Sequence, residues 1–343
     1  MHMADRDYIP KQQVLLTGAG FSKPFGGYLA GEMWAVLFNK LNTEITRNVR
    51  AILRGEMDYE LVYDSVLSGN FTDVEKKRFA DSLLEAYGAL DRSIQSCLGN
   101  EPILTSPLRA FISLFKGEDR RRGFIFTLNQ DALLERFYRP PNTLFIPALG
   151  QHPDWFTGRM DRNTSLQVDM PPPDRLKKFQ ENFWKKQLGL GDFVYVKLHG
   201  AYGWKSSQIE NAMVIGHNKA GVIAKEPLLN WYRNLFKEVL NYGNQILVVV
   251  GYRFMDEHIN NIIADAAKTN LQLHVISPMQ PKDFEAHLSS RSMIAGSKSV
   301  PRGKEIWEML CGYHCTSVEQ LFPHNARVLS EDFLKSIKIQ NIP

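Results

Sequence analysis

The sequence predicts an α/β protein built on a doubly wound parallel sheet with an inserted helical subdomain. Apolar runs at residues 14–16, 123–127, 193–198 and 245–250 each end in a small or polar turn, and helical spacing follows. The polar turns all fall at the carboxyl ends of the runs, the arrangement that a parallel sheet with crossover helices produces. Between residues 43 and 115 the spacing stays helical with no strand, which is too long for a simple crossover.

Composition sets the bounds. The chain has 343 residues, 44% of them hydrophobic, enough for one large domain or one domain with a substantial insertion. No run approaches the roughly 20 apolar residues that span a bilayer, and the first residues carry no signal-peptide pattern, so a cytoplasmic protein with no membrane partner is expected. Cys97, Cys311 and Cys315 are too few for a disulfide framework, in keeping with a reducing compartment. A net charge of +4 neither demands nor excludes nucleic acid.

The first element is the run Val14-Leu15-Leu16, a strand buried on both faces, closed by Thr17-Gly18-Ala19-Gly20. A turn that small lets backbone amides approach a pyrophosphate at the start of the next helix, although it also suits a strand-to-helix turn with no ligand. Lys23 stands where the third glycine of GxGxxG would be. Leu29, Met33, Trp34, Leu37 and Leu41 then mark the crossover helix, and the helical block follows.

The second strand, residues 123–127, runs into Leu128-Asn129-Gln130-Asp131 and a short helix. Asn129 and Asp131 thus stand at a carboxyl edge, where ligands bind in open α/β sheets. Asp131 capping the helix and Asn129 closing the turn is the alternative reading, and both can hold together. Residues 139–191, with Pro140, Pro141, Pro147, Pro153, Pro171, Pro172 and Pro173, read as a long excursion with Trp155, Phe156, Phe183 and Trp184 to bury, serving as a lid, an assembly surface or a mobile segment.

The third strand ends at His199-Gly200, which places a histidine for base work near neutral pH or for an ordinary structural hydrogen bond. The fourth ends at Gly251-Tyr252-Arg253-Phe254, and Asp256 is expected to cap the next helix. A last strand at 271–276 stops at Ser277, and the tail from residue 291 is expected to be helical. Cys311, His314, Cys315 and His324 superficially resemble metal ligands, but adjacent His314 and Cys315 would struggle to share one ion, so a helix end is expected and no metal.

Taken in order, Gly18-Ala19-Gly20-Phe21-Ser22, Thr127-Leu128-Asn129-Gln130-Asp131, Leu198-His199-Gly200 and Gly251-Tyr252-Arg253-Phe254 resemble the motif set of sirtuins and sirtuin-like NAD hydrolases. The resemblance implies a Rossmann-like NAD-binding domain over 12–42 and 116–290, with the helical subdomain at 43–115 and a tail at 291–343. It gives the pyrophosphate to Gly18, Ala19, Gly20 and Ser22, the nicotinamide and ribose pocket to Asn129 and Asp131, base chemistry to His199, and the adenosine half to Gly251 and, more weakly, Ser277. Deacylases of the family carry a four-cysteine zinc module after HG, whereas this chain has no cysteine between Cys97 and Cys311. It also has Leu128 where deacylases usually have glutamine.

Those departures resemble the NAD-destroying effectors of bacterial anti-phage defence. The implied activity is NAD glycohydrolysis, with NAD as substrate and a silent state that needs a homo-oligomer or an activating subunit, such as a DNA-translocase-type ATPase or an Argonaute-like protein. An NAD-dependent deacylase and a non-catalytic NAD or ADP-ribose sensor are the alternatives.

Overall fold

The computed structural model describes residues 6–100, 105–137, 144–151, 168–185, 192–208, 212–289, 300 and 302–322. Ten strands are seen among them: β1 (Ile9–Thr17), β2 (Arg121–Thr127), β3 (Leu144–Ile146), β4 (Gly150–Gln151), β5 (Val168–Asp169), β6 (Phe193–Lys197), β7 (Trp204–Lys205), β8 (Ile246–Val250), β9 (Gln272–Ser277) and β10 (Leu310–Cys315). Eight make one sheet in the order β10-β9-β8-β1-β2-β6-β3-β4, and β5 and β7 pair separately. Every neighbour in the large sheet is parallel except β3 and β4. The predicted doubly wound, Rossmann-like α/β fold is therefore the observed one.

The apolar runs form strands because both faces are covered. Val14, Leu15 and Leu16 on β1 and Leu247, Val249 and Val250 on β8 are fully buried, and Leu15 lies opposite Ile125 and Val248. The chain builds from β1 out to β2, β6 and β3, then returns to add β8, β9 and β10 on the other side. Strand order thus reverses beside β1, and the crevice at the carboxyl ends of β1 and β8 is the ligand position of such sheets.

Helices between Arg47–Gly55 and Thr105–Ser113 fill the predicted helical stretch. Leu41, Val49, Leu53, Val62, Val66 and Phe79 make a small apolar cluster of their own there. The long helix Asp73–Asn100 is tied to helix Leu133–Phe137 by a buried, two-pronged ion pair between Arg136 and Asp91.

Two expectations need correction. The stretch after residue 291 is not simply helical: helix Gly303–Glu308 leads into β10, which extends the sheet beside β9, before helix Val318–Leu321. Gly312 makes this possible, because a Cβ there would lie 2.3 Å from the His274 ring on β9. Cys311, His314 and Cys315 are consequently strand residues and not a helix end, while His324 lies outside the described residues. Phe322 then buries its ring 6.0 Å from Phe21 and 5.5 Å from Phe25, so this tail docks on its own domain.

The proline-rich stretch is also more regular than its composition suggests. β3 pairs with β6, and Pro173 opens the helix Pro173–Asn182, where a missing N–H costs nothing. Phe183 and Trp184 are buried against Phe124. Pro140, Pro141, Pro153, Trp155 and Phe156 lie outside the described residues.

Candidate functional site

The turn after β1 and the turn after β8 are built against each other. Gly18 N–H donates to the Val250 carbonyl and Gly20 N–H to the Gly251 carbonyl, both at 3.0 Å. A Cβ on Gly18 would lie 2.6 Å from Gly251 O, one on Gly20 2.8 Å from Gly251 Cα, and one on Gly251 2.3 Å from Phe21 N. Gly251 also has φ +68°, a left-handed conformation that favours glycine. The glycines therefore serve turn-on-turn packing first. Of the triplet's amides, those of Gly18 and Gly20 are used within the chain, and exposed Ala19 is the one turned outward.

Asn129 joins this pair of turns. Its Nδ2 donates to Gly18 O at 3.0 Å and to Ser22 Oγ at 2.9 Å, which uses both amide hydrogens and leaves Oδ1 as an acceptor. Its own N–H donates to Thr127 Oγ1 at 3.1 Å, and Thr17 Oγ1 to Thr127 Oγ1 at 2.8 Å, so β1 and β2 fix the side chain from below. Asn129 is 7% exposed.

Asp131 faces another way. Its carboxylate accepts the Leu133 N–H at 3.0 Å as a helix-start cap, and its backbone carbonyl accepts from Lys197. Lys197 is fully buried with its ammonium 2.9 Å from Glu135. The charge of Asp131 acts on Glu135, Tyr195 and Tyr87.

His199 is buried at the end of β6, and Gly200 beside it has φ +68° with a Cβ position 1.8 Å from the Ala212 carbonyl. The HG glycine thus lets residues 212–214 close over the strand end, where Val214 N–H donates to the His199 carbonyl at 2.9 Å. His199 Nε2 lies 3.0 Å from His258 Nε2. The ring also donates to the Leu128 carbonyl, and because Nε2 faces His258, Nδ1 is the donor. Burial holds His199 well below the usual histidine range, against the opposing pull of Asp256. Burial likewise takes His258 down to about 4.

Asp256 occupies the N-cap position of helix Glu257–Asp265, yet its side chain does not cap, contrary to expectation. The carboxylate instead lies 2.7 Å from the Lys219 ammonium, which is itself 2.7 Å from Glu60. Burial alone would raise Asp256, but His199 and Lys219 hold it at about 2. Glu60 is raised by burial, with Lys219 opposing. Tyr252 Oη accepts the Asp256 N–H at 3.0 Å and donates to Asn260 at 3.1 Å.

His199, Asp256 and His258 present ligand-type atoms within 4.8 Å of one another. Lys219 already places a cation against the carboxylate, so we read the trio as a charge cluster and not as metal ligands.

The structure therefore gathers Gly18, Gly20, Ser22, Asn129 and Gly251 at one crevice, with His199 at the end of the strand next to β2. Asp131 and Ser277 stand apart. Ser277 lies on β9, two strands from β1, with its Oγ accepting the Met279 N–H at 3.3 Å. Glu60, Lys219 and His258 were missed by sequence reasoning, and Asp256 was read only as a helix cap. Only Asp256 and His258 carried a signal, an acid and a histidine shortly after the GYRF motif.

No curated protein sequence matches the chain. A family profile described as a SIR2-like domain matches residues 123–293, which spans Asn129, His199, Gly251 and His258. Its match starts after the Gly18–Gly20 turn, which the structure nonetheless locks onto Gly251. SIR2-like domains use NAD as a substrate. The chain therefore carries a SIR2-like domain over residues 123–293, lodged in a parallel α/β sheet.

Proposed function

We propose that the protein is an NAD glycohydrolase that cleaves NAD to nicotinamide and ADP-ribose. The observation that carries the reading is the orientation of Asn129: with both amide hydrogens bound to Gly18 and Ser22, its Oδ1 is left to accept from a ribose hydroxyl or an attacking water. Nicotinamide leaves as a neutral ring, so cleavage passes through an oxocarbenium-like state that needs positioning and a weak base more than a strong nucleophile. His199 is held neutral by burial and takes the proton, and Ala19 with Ser22 faces the pyrophosphate. Gly251 backs the adenosine side, while Asp131 and Ser277, which stand apart from the crevice, take no direct part in this reading.

Two observations favour a small-molecule hydrolase over a deacylase. The sequence lacks a cysteine module after His199, and helix Tyr59–Ser68 reaches over the site to pair Glu60 with Lys219. We take residues 12–42 and 116–290 as the NAD-binding unit and 43–115 as its cover. A defence effector in the cytoplasm, silent until an oligomer or activating subunit engages it, is the setting that fits such an activity.

The test is to incubate the protein with NAD, alone and with an acylated peptide, and to follow ADP-ribose and nicotinamide by chromatography. ADP-ribose is expected without peptide and should fall at least 100-fold in His199→Ala and in Asn129→Ala. Peptide-dependent turnover would instead establish a deacylase; a thermal shift with NAD but no product calls for the same assay with neighbouring gene products added, where product establishes a silent hydrolase and continued absence of product a sensor.

A further inference from the structure

We propose that the base of this site is a pair of histidines, in which His258 receives the proton at Nδ1 and His199 carries the resulting charge. The inference rests on the hydrolase or sirtuin-type reading above and deepens it.

The argument is one of tautomers. His199 Nδ1–H points at the Leu128 carbonyl, so its Nε2 holds the lone pair. His258 Nε2 is 3.0 Å away and must supply the hydrogen of that contact. A neutral His258 protonated at Nε2 has its lone pair on Nδ1. His199 is 2% exposed and its one basic nitrogen is covered by His258, whereas His258 is only partly buried. A substrate O–H therefore meets His258 before His199.

The proton step balances without another reactant. The O–H bond of the attacking water or ribose hydroxyl breaks as Nδ1–H of His258 forms. The Nε2–H bond of His258 breaks as Nε2–H of His199 forms, leaving a neutral His258 and a His199 imidazolium held between the Leu128 carbonyl and His258. The groups that face the pair are Asp256 and Lys219 toward both rings, and Arg233 toward His258. Asp256 is the anion that stabilises the imidazolium, and Lys219 anchors it.

Two measurements test this. Nitrogen-15 imidazole NMR on the unliganded protein should show His199 as the Nδ1–H tautomer and His258 as Nε2–H. The two rings should titrate together with one shared midpoint below the ordinary histidine value. In the NAD assay, His258→Gln should lower kcat/KM at least tenfold with KM little changed, and should move the acid limb of the pH profile; His258→Asn should behave alike. A Nδ1–H tautomer at His258 or independent titration overturns the proposal whether or not NAD is turned over. So does a His258→Gln enzyme with unchanged kcat/KM and pH limb, an outcome that leaves the NAD reading intact. Absence of turnover in the wild type, with an activating subunit as well as alone, overturns the NAD reading, whereas the tautomers and the joint titration still decide the histidine pair.

Discussion

Gly251 shows how much can hang on one missing methyl group. It sits in the left-handed region, and its Cα is pressed against the Gly20–Phe21 peptide. Gly251→Ala should cost at least about 2 kcal/mol from backbone strain and the clash together, and should weaken NAD binding, read as a lowered urea midpoint and a lost thermal shift. At this scale the sequence was partly legible. Asn129, His199 and the glycines announce themselves because strand ends with small or polar residues are uncommon and recur in order. Glu60 and Lys219 do not, because a single charge on a helix reads as solvated until its partner from a distant segment is known. Asp256 was misread for a specific reason: an aspartate just before a helix usually caps it, and here a buried ammonium competes for the carboxylate.

Helix Tyr59–Ser68 is the element that ties the helical stretch to the chemistry. Glu60 pairs with Lys219, Asp64 accepts the His217 N–H, and Tyr59 Oη lies 3.2 Å from Tyr87 Oη. Gly216, with φ +96°, leaves the space that the Asp64 carboxylate fills. Lys219→Met would leave Glu60 and Asp256 facing each other without their cation, and should destabilise the fold by about 3–5 kcal/mol. Glu60→Gln keeps the lysine paired with Asp256 and should cost about 1 kcal/mol by urea denaturation. Element type was legible wherever the pattern was long. β10 was not, since Cys311-Gly312-Tyr313-His314-Cys315 has no apolar run, and its partner strand alone makes it a strand. Pro172 and Pro173 read as breakers and instead start a helix, because a proline at the first helical turn loses no hydrogen bond.

Across the whole molecule, the described histidines with displaced pKa values all shift the same way. His199, His258, His274 and His314 are each lowered, first by burial. The unfolded chain then takes up protons before the native one. For His258, with 6.5 as the ordinary value and about 4 in the fold, stability is full above the ordinary value and is lost as pH falls toward the folded one. That single group is worth on the order of 3 kcal/mol across the window. Asp256, held at about 2, works in the same direction and gives up its contribution only at still lower pH, as pH falls from the ordinary aspartate value toward the folded one. Urea midpoints should therefore drop between pH 7 and 5, and His258→Gln should flatten the drop. The sheet that organises these groups was legible from its repeated strand and turn pattern. Its cover was legible as helices but not as a participant, because charge pairs between distant segments leave no periodic trace.

The interlocked turns also set an order in time. β1 lies between β2 and β8, and its glycine turn closes on Gly251, so the crevice draws its two halves from segments far apart in the chain. Such long-range closure comes late in folding. On the ribosome, the first turn has nothing to close on until Gly251 has emerged, and every shorter nascent chain holds the early motif without a working site.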